Sequence, residues 1–209
     1  MNYYLAIDIG ASSGRHILGH YEQNKIVLEE IYRFPNGMKE KNGHLIWDVE
    51  ELFLHIKEGM KKCKELNIVP YSMGIDTWAV DYALLDVSGK RMQDVYGYRD
   101  SRTEGMDTKV YDIICEDDLY ARTGIQKQIF NTIYQLMSEK ELDKADCMLM
   151  VPDYFNYLLT GKKITEYTNA STTQLVSPIT KDWDFELIER LGYPAKIFTE
   201  IKCPGTFVG

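Results

Sequence analysis

The chain has 209 residues, with 24 Lys and Arg against 32 Asp and Glu and a formal net charge of −8. Hydrophobic residues at 44% exclude a disordered chain. The acidic balance, with no dense stripe of Lys and Arg, excludes binding to nucleic acid or to an anionic membrane surface by charge neutralisation. Local phosphate binding through backbone amides and a metal stays open.

Tyr3 to Ile9 is a short, nearly continuous apolar run that predicts a buried strand ending at Asp8-Ile9-Gly10. Gly10-Ala11-Ser12-Ser13-Gly14 predicts a turn of small residues. His16 to Tyr21 and Lys25 to Phe34 read as two more strands, split by a polar turn at Gln23-Asn24. Asn36-Gly37 and Asn42-Gly43 are hairpin signals, and His44 to Trp47 is a short strand. Asp48 followed by Glu51 marks a helix start. Val49, Leu52, Phe53, Ile56, Met60 and Cys63 then recur at helical spacing, so a helix is expected over 49–65. Ser72 to Asp76 is a strand ending in an aspartate, and Val80–Leu85 and Arg91–Val95 flank Ser88-Gly89 as a hairpin.

Beyond that point the pattern is mostly helical. Met106, Val110, Ile113 and Ile114 share a face, Leu119 to Arg122 is a turn closed by Gly124, and Thr132 to Lys140 is a further helix. Cys147 to Val151 is an apolar strand, Pro152 opens a helix stopped by Gly161, and Asp184 caps Phe185 to Leu191 before Gly192. There is no repeat, low-complexity segment or evident linker, so residues 1–209 are expected to form one domain. Three antiparallel strands feeding a helix and a parallel strand suggest an α/β ribonuclease-H-like domain, a mixed β-sheet flanked by helices. Sugar kinases, actin and the large chaperone ATPases share that core.

Cys63, Cys115, Cys147 and Cys203 are widely spaced with no C-x-x-C, so they read as mostly buried free thiols in a reducing cytoplasm. The first residues show no basic, apolar secretory pattern, and no apolar run approaches the ~18 residues of a membrane span. A cytoplasmic location is expected.

Four stretches carry polar groups suited to chemistry. Asp8-Ile9-Gly10-Ala11-Ser12-Ser13-Gly14-Arg15 is neither a Walker A loop nor G-x-G-x-x-G. Its small residues nevertheless let amides and hydroxyls approach phosphate oxygens, Arg15 adds a charge-assisted contact, and Asp8 suits water-mediated Mg²⁺. The same residues also make an ordinary β-turn. Gly74-Ile75-Asp76-Thr77-Trp78-Ala79-Val80-Asp81-Tyr82 offers a second acid at a strand end, a Trp face for a sugar ring, and Thr and Asp for its hydroxyls. A buried Trp in a strand connection would look the same. Tyr98-Arg99-Asp100-Ser101-Arg102-Thr103 reads either as a solvated charged loop or as an Asp100–Arg102 ion pair shaping a site. Gln126 with Phe130-Asn131-Thr132 reads as a binding loop or as a loop with a helix cap.

In this order, and together with Pro152 to Gly161 and Thr165 to Leu175, these stretches closely resemble the FGGY carbohydrate kinases. The resemblance runs from Asp8 to about Gly205 and is carried by Gly10 to Arg15, Arg33-Phe34-Pro35-Asn36-Gly37, Gly74 to Tyr82, Tyr98 to Thr103 and Thr123 to Gln126. Within the family it is similar to the members that use ATP to phosphorylate L-rhamnulose at its 1-hydroxyl. The resemblance implies ATP and Mg²⁺ as cofactors and a small ketose as substrate. It implies that Ala11, Ser12, Ser13, Gly14 and Arg15 bind ATP and that Asp8 and Asp76 sit near Mg²⁺. Thr77, Trp78, Ala79, Asp81, Asp100, Arg102 and Gln126 would form the ketose side.

Two departures qualify what the resemblance implies. The family usually has Gly where this chain has Ala79, which an L side chain tolerates only if φ there is negative. The family's aspartate base lies in a His-Asp-Thr motif, and none of His16, His20, His44 and His55 begins one. No catalytic residue is therefore expected within 1–209, and the chain reads as the N-terminal lobe of such a kinase, inactive alone and without the C-terminal lobe. The alternatives are a non-catalytic, sugar-responsive binding module that associates through an exposed apolar cleft face, a kinase of the same family for another ketose, and an actin-like or chaperone-like ATPase.

Overall fold

The computed structural model of the protein describes residues 1–209. The chain divides into two compact units: Met1–Lys39 with Trp47–Trp78, and Glu40–Ile46 with Ala79–Gly209. One domain with no linker is the expectation from sequence; the chain passes between the units at Lys39, Ile46 and Trp78 with no Pro- or Gly-rich connector to mark them.

The first unit holds β1 (Tyr4–Ile9), β2 (Ser13–Glu22) and β3 (Lys25–Pro35). Short strands β4 (Lys39–Lys41) and β5 (His44–Trp47), which lie mostly in the second unit, follow in the chain, and the first unit resumes with α1 (Val49–Glu65) and β6 (Ser72–Asp76). Four strands pair in the order β3-β2-β1-β6, antiparallel except for β1 with β6, which are parallel. Three antiparallel strands, a helix and a parallel strand are what the sequence led to expect. Helix α1 also falls where its periodicity places it, with the Asp48 side chain accepting from Glu51 N at 3.0 Å as cap.

The strands alternate, so Leu5, Ile7, Ile9 and Leu18 are buried on the inner face, together with Val49, Leu52 and Ile56 of α1. His16 also points inward. Its Nε2 lies 3.2 Å from the Ile56 carbonyl, and burial lowers its pKa to about 4, so it is a neutral core group. Gly59 of α1 leaves room for it, because a Cβ there would stand 2.3 Å from the imidazole ring.

The outer sheet face is arranged in rows. At the start of the strands it is apolar and open: Tyr4, Tyr21, Ile26 and Leu28 are all exposed and border a concavity of about 450 Å³. At the other end the row Arg33–Arg15–Asp8–Asp76 is charged, each residue directly opposite the next.

The second unit contains β7 (Tyr82–Leu85), β8 (Val95–Tyr96), α2 (Met106–Tyr111), α3 (Glu116–Thr123) and α4 (Thr132–Met137). It continues with β9 (Cys147–Met150), α5 (Val151–Thr160), β10 (Thr165–Glu166), α6 (Tyr167–Ser171), β11 (Val176–Ser177), β12 (Asp182–Trp183), α7 (Phe185–Arg190) and β13 (Ile201–Lys202). Its core gathers Ile133, Tyr134, Met148, Met150, Leu187, Ile188 and Ile197 around the β7–β9 pair. Gly124 and Gly161 end α3 and α5 at φ of 68° and 73°, where an L side chain would be strained.

Several expected elements are corrected. The hairpin over 80–85 and 91–95 reduces to one bridge, Leu85 with Arg91; β7 pairs instead with β9, and β8 joins the three-stranded sheet β4-β5-β8. Long-range pairing has replaced the local one because β9 is fully apolar and fills the core against β7. Asn42-Gly43 does turn β4 into β5, with φ of 53° and 79°, but Asn36-Gly37 is no hairpin. Helix α4 stops at Met137, short of the expected Lys140. Of the four free thiols only Cys63 and Cys147 are buried; Cys115 and Cys203 are exposed. No helix is long and apolar enough to cross a membrane.

Candidate functional site

In the first unit, β1 and β6 run parallel in register, which sets Asp8 opposite Asp76 at their ends. Arg15 on β2 stands opposite Asp8 from the other side and donates to its Oδ2 from Nε at 2.8 Å and from the terminal nitrogen at 2.7 Å. Partial burial raises the Asp76 pKa, and the neighbouring Asp8 charge adds to the rise. Two adjacent carboxylates with one arginine make a charge-poor but oxygen-rich pair. That suits a hard divalent cation taking one or two carboxylates and completing its shell with water and phosphate. No cluster of three or more His, Cys, Asp or Glu exists to cage a metal by protein alone.

The turn joining β1 to β2 lies beside this pair. Gly10 N donates to Ser13 O at 2.9 Å, and Ala11 and Ser12 are exposed at its tip. Ser13 and Gly14 already belong to β2. Gly14 must lack a side chain, because a Cβ would stand 2.1 Å from the Phe34 ring. Asn36 staples the turn: its N donates to Ser12 O at 3.0 Å and its Nδ2 to Gly10 O at 2.8 Å. Sequence reading assigned Asn36 to a hairpin and missed this role; an amide side chain directly after a strand ending in Pro was the available signal. Also in this unit, Thr77 Oγ1 donates to Trp78 O at 2.9 Å, and Trp78 stacks on Trp47 with ring centroids 3.8 Å apart.

In the second unit the expected residues have unequal settings. Ala79 is half-buried and its φ is not left-handed, so alanine fits where glycine is usual; the left-handed residue is the next one, Val80, at φ 67°. Asp81 is fully buried, accepting from Tyr98 N on Oδ2 at 3.0 Å and from Gln135 Nε2 on Oδ1 at 2.9 Å. Asp100 is buried as well. It accepts from Leu45 N at 2.7 Å and Arg102 N at 3.0 Å, and faces His44 Nδ1 at 3.1 Å. Although burial alone would raise its pKa, these partners hold the carboxyl below its ordinary range.

The expected Asp100–Arg102 ion pair does not form. The carboxylate partner of Arg102 is Glu139, at 2.7 Å, and the guanidinium also donates to Gln135 Oε1 at 2.8 Å. Tyr82 OH and Gln93 Nε2 donate to the same Glu139, at 2.8 and 2.9 Å. Burial works against the Arg102 charge, yet Tyr82 and Glu139 together hold its pKa above the ordinary arginine value. Asp81 and Arg102 thus meet at Gln135, and Asp100 fixes the 98–103 loop to Leu45 and His44. Gln126 is exposed, and its carbonyl accepts from Asn131 Nδ2 at 3.0 Å. Gln135 and Glu139 escaped the sequence reading, which singled out Thr132 only as part of the Phe130-Asn131-Thr132 loop; the polar i, i+3, i+7 spacing of Thr132, Gln135 and Glu139 among Ile133, Leu136 and Met137 was the available signal.

Comparison with known proteins agrees with the fold and the motifs. The FGGY family of carbohydrate kinases, N-terminal domain, matches residues 3–209. A rhamnulokinase of Halalkalibacterium halodurans is 54% identical over 214 residues, covering 100% of this chain and 46% of that protein. The rhamnulokinase of Bacillus subtilis is 44% identical over 208 residues, covering 99% and 43%. The chain therefore spans less than half the length of these relatives. Among solved structures, a ligand-bound xylulose kinase from Lactobacillus acidophilus superposes with a TM-score of 0.84 at 18% identity, over 100% of this chain and 44% of that one. A glycerol kinase from Plasmodium falciparum with ADP gives 0.78 at 21%, over 97% and 43%. The fold is that of the ribonuclease-H-like sugar kinases.

Proposed function

Since the chain belongs to the FGGY family of carbohydrate kinases, we propose that it is the N-terminal lobe of an ATP-dependent ketose kinase. The reaction is transfer of the terminal phosphoryl group of ATP to the 1-hydroxyl of L-rhamnulose, giving ADP and L-rhamnulose 1-phosphate. The relatives named rhamnulokinase support the choice of ketose. The observation that carries the reading is the row Arg15–Asp8–Asp76 beside the Gly10–Ser12 turn. Asp8 and Asp76 are the residues to hold Mg²⁺, and Ala11, Ser12, Ser13, Gly14 and Arg15 those to meet phosphate oxygens. Thr77, Trp78 and Ala79 are the residues to meet the ketose directly. Asp81, Asp100 and Arg102 are too deeply engaged with internal partners to reach a sugar in this arrangement, so their part is support, and Gln126 is open to solvent. Such an enzyme works in the cytoplasm, where ATP is supplied.

With no His-Asp-Thr in the sequence, this lobe lacks a general base. In a coupled assay with ATP, Mg²⁺ and L-rhamnulose, its turnover is expected to stay far below the ~1–10³ s⁻¹ of typical enzymes. Magnesium titration followed by NMR should shift the Asp8 and Asp76 resonances, and Asp8→Asn should weaken that response several-fold. Turnover in the enzyme range would overturn the inactivity, and a magnesium response absent from Asp8 and Asp76 would overturn the metal assignment.

The open sheet face favours an associating role alongside the kinase reading. Tyr4, Tyr21, Ile26 and Leu28 form an exposed apolar surface of a kind that is re-buried by association. Its occupant, on this reading, is the polypeptide that makes up the remaining half of the relatives' length. Ile26→Lys with Leu28→Lys should abolish binding of that separately produced half, as read by sedimentation velocity; binding at full strength by the double variant would exclude this face.

A further inference from the structure

Val80 is the one β-branched residue of the chain in the left-handed region, with φ 67°, and it is almost completely buried. Valine is among the residues least suited to that conformation, so the fold must hold it there. Asp81 N donates to Ala79 O at 2.9 Å, closing a tight turn of three residues with Val80 at its centre. This is the rare, strained form of γ-turn, distinguished by its positive central φ.

The Val80 carbonyl is gripped from one side. Thr132 Oγ1 donates to it at 2.7 Å and Gln135 Nε2 at 3.2 Å, and both side chains are buried. Gln135 Nε2 also reaches Asp81 Oδ1 at 2.9 Å, and Val151 N donates to Asp81 O at 3.1 Å. The turn is thus fixed by side chains from α4 and by the start of α5. Strained backbone persists where the surroundings over-determine it, and it gathers at binding sites, where the geometry it enforces is used. The residue whose backbone this turn aims is Ala79. Its carbonyl accepts from Asp81 N and so forms one side of the turn.

We propose that Thr132 and Gln135 are positioning residues that clamp the Val80 turn and so fix the Ala79 backbone for its contact with the ketose. This rests on the ketose reading above.

The test is ketose affinity of the 209-residue chain, measured by NMR titration with L-rhamnulose and separately with Mg·ATP. Thr132→Val keeps the shape and removes the hydroxyl; Thr132→Ser keeps the hydroxyl. Val80→Gly adopts the positive φ without a clamp. Thr132→Val should weaken ketose binding about tenfold or more, with Mg·ATP binding unchanged and the Val80 chemical shifts displaced. Thr132→Ser should bind as the parent does. Adding Val80→Gly to Thr132→Val should restore most of the lost affinity, which a merely structural role of Thr132 would not do. If folded Thr132→Val binds the ketose as tightly as the parent, or if Val80→Gly restores nothing, the clamp is overturned. If the parent chain binds Mg·ATP but no ketose, the ketose reading itself falls, and this inference falls with it.

Discussion

Raising the pH from about 4 to about 8 is expected to weaken the second unit by up to about 5 kcal/mol through Asp153 alone. This carboxyl sits in the first turn of α5 and is only 2% exposed. Its Oδ1 accepts from Glu166 N at 3.1 Å, and its Oδ2 has no partner. Burial pushes its pKa up to about 8 from an ordinary 3.8; the Glu166 amide opposes the rise and the Glu166 charge adds to it. The folded unit therefore keeps the proton that the unfolded chain gives up near pH 4. Stability from this group is complete below pH 3.8 and is lost progressively until pH passes 8. Asp153→Asn, which cannot ionise, should flatten that slope. Urea denaturation followed by NMR signals of the second unit, at pH values from 4 to 8, measures it. Equal slopes in the parent and the variant would refute the assignment. The first unit should behave oppositely. His16, held neutral down to about pH 4 against an ordinary 6.5, costs it about 3 kcal/mol as pH falls through that window.

What could be read from the sequence depended on how local the causes were. The first sheet and α1 were legible because their signals are local: the apolar run of β1, the polar Gln23-Asn24 turn between β2 and β3, and Asp48 three residues before Glu51. The Asp8 and Asp76 pair was legible as two strand ends, although only the parallel register of β1 and β6 sets them face to face. Two-residue strands such as β10 with β13 leave no periodicity to detect, and β7 found its partner more than sixty residues away at β9. Val80 gave no sign of its left-handed torsion, since a β-branched residue in an apolar run argues for the opposite. Likewise the charge alternation of Arg99, Asp100 and Arg102 suggested a local pair, while the true partner of Arg102, Glu139, belongs to the segment after α4. Ion-pair choice in a low-dielectric interior is decided by tertiary placement, which neighbouring charges in the sequence do not encode.

Removing the Glu139 carboxylate is expected to cost about 3–5 kcal/mol, because it strands a buried charge. The Glu139 and Arg102 side chains are 7% and 9% exposed, so the pair is shielded from water and is not a surface bridge of marginal worth. Arg102 Nε already lacks a partner; without Glu139 its guanidinium would keep only Gln135, Tyr82 and Ser138 as acceptors, none of them charged. Tyr82 OH and Gln93 Nε2 would lose their acceptor in the same step. For a chain of this size the thermal midpoint should fall by roughly 2–4 °C for each kcal/mol. Glu139→Gln, which keeps acceptor geometry without charge, should lose less than Glu139→Ala. Arg102→Met with Glu139→Leu should recover most of the loss, since an apolar pair of similar volume leaves no charge unpaired. Thermal denaturation of the parent, Arg102→Met, Glu139→Leu and the double variant as a double-mutant cycle isolates the coupling. A loss below about 1 kcal/mol for Glu139→Ala would show that Arg102 reaches solvent or another acid once its partner is gone. The damage should also spread along one chain of contacts, from Arg102 to Gln135 Oε1 and from Gln135 Nε2 to the Val80 carbonyl. Glu139→Ala should therefore displace the Val80 resonances at temperatures where the unit is still folded, whereas an equally destabilising core truncation such as Ile188→Ala should leave them in place.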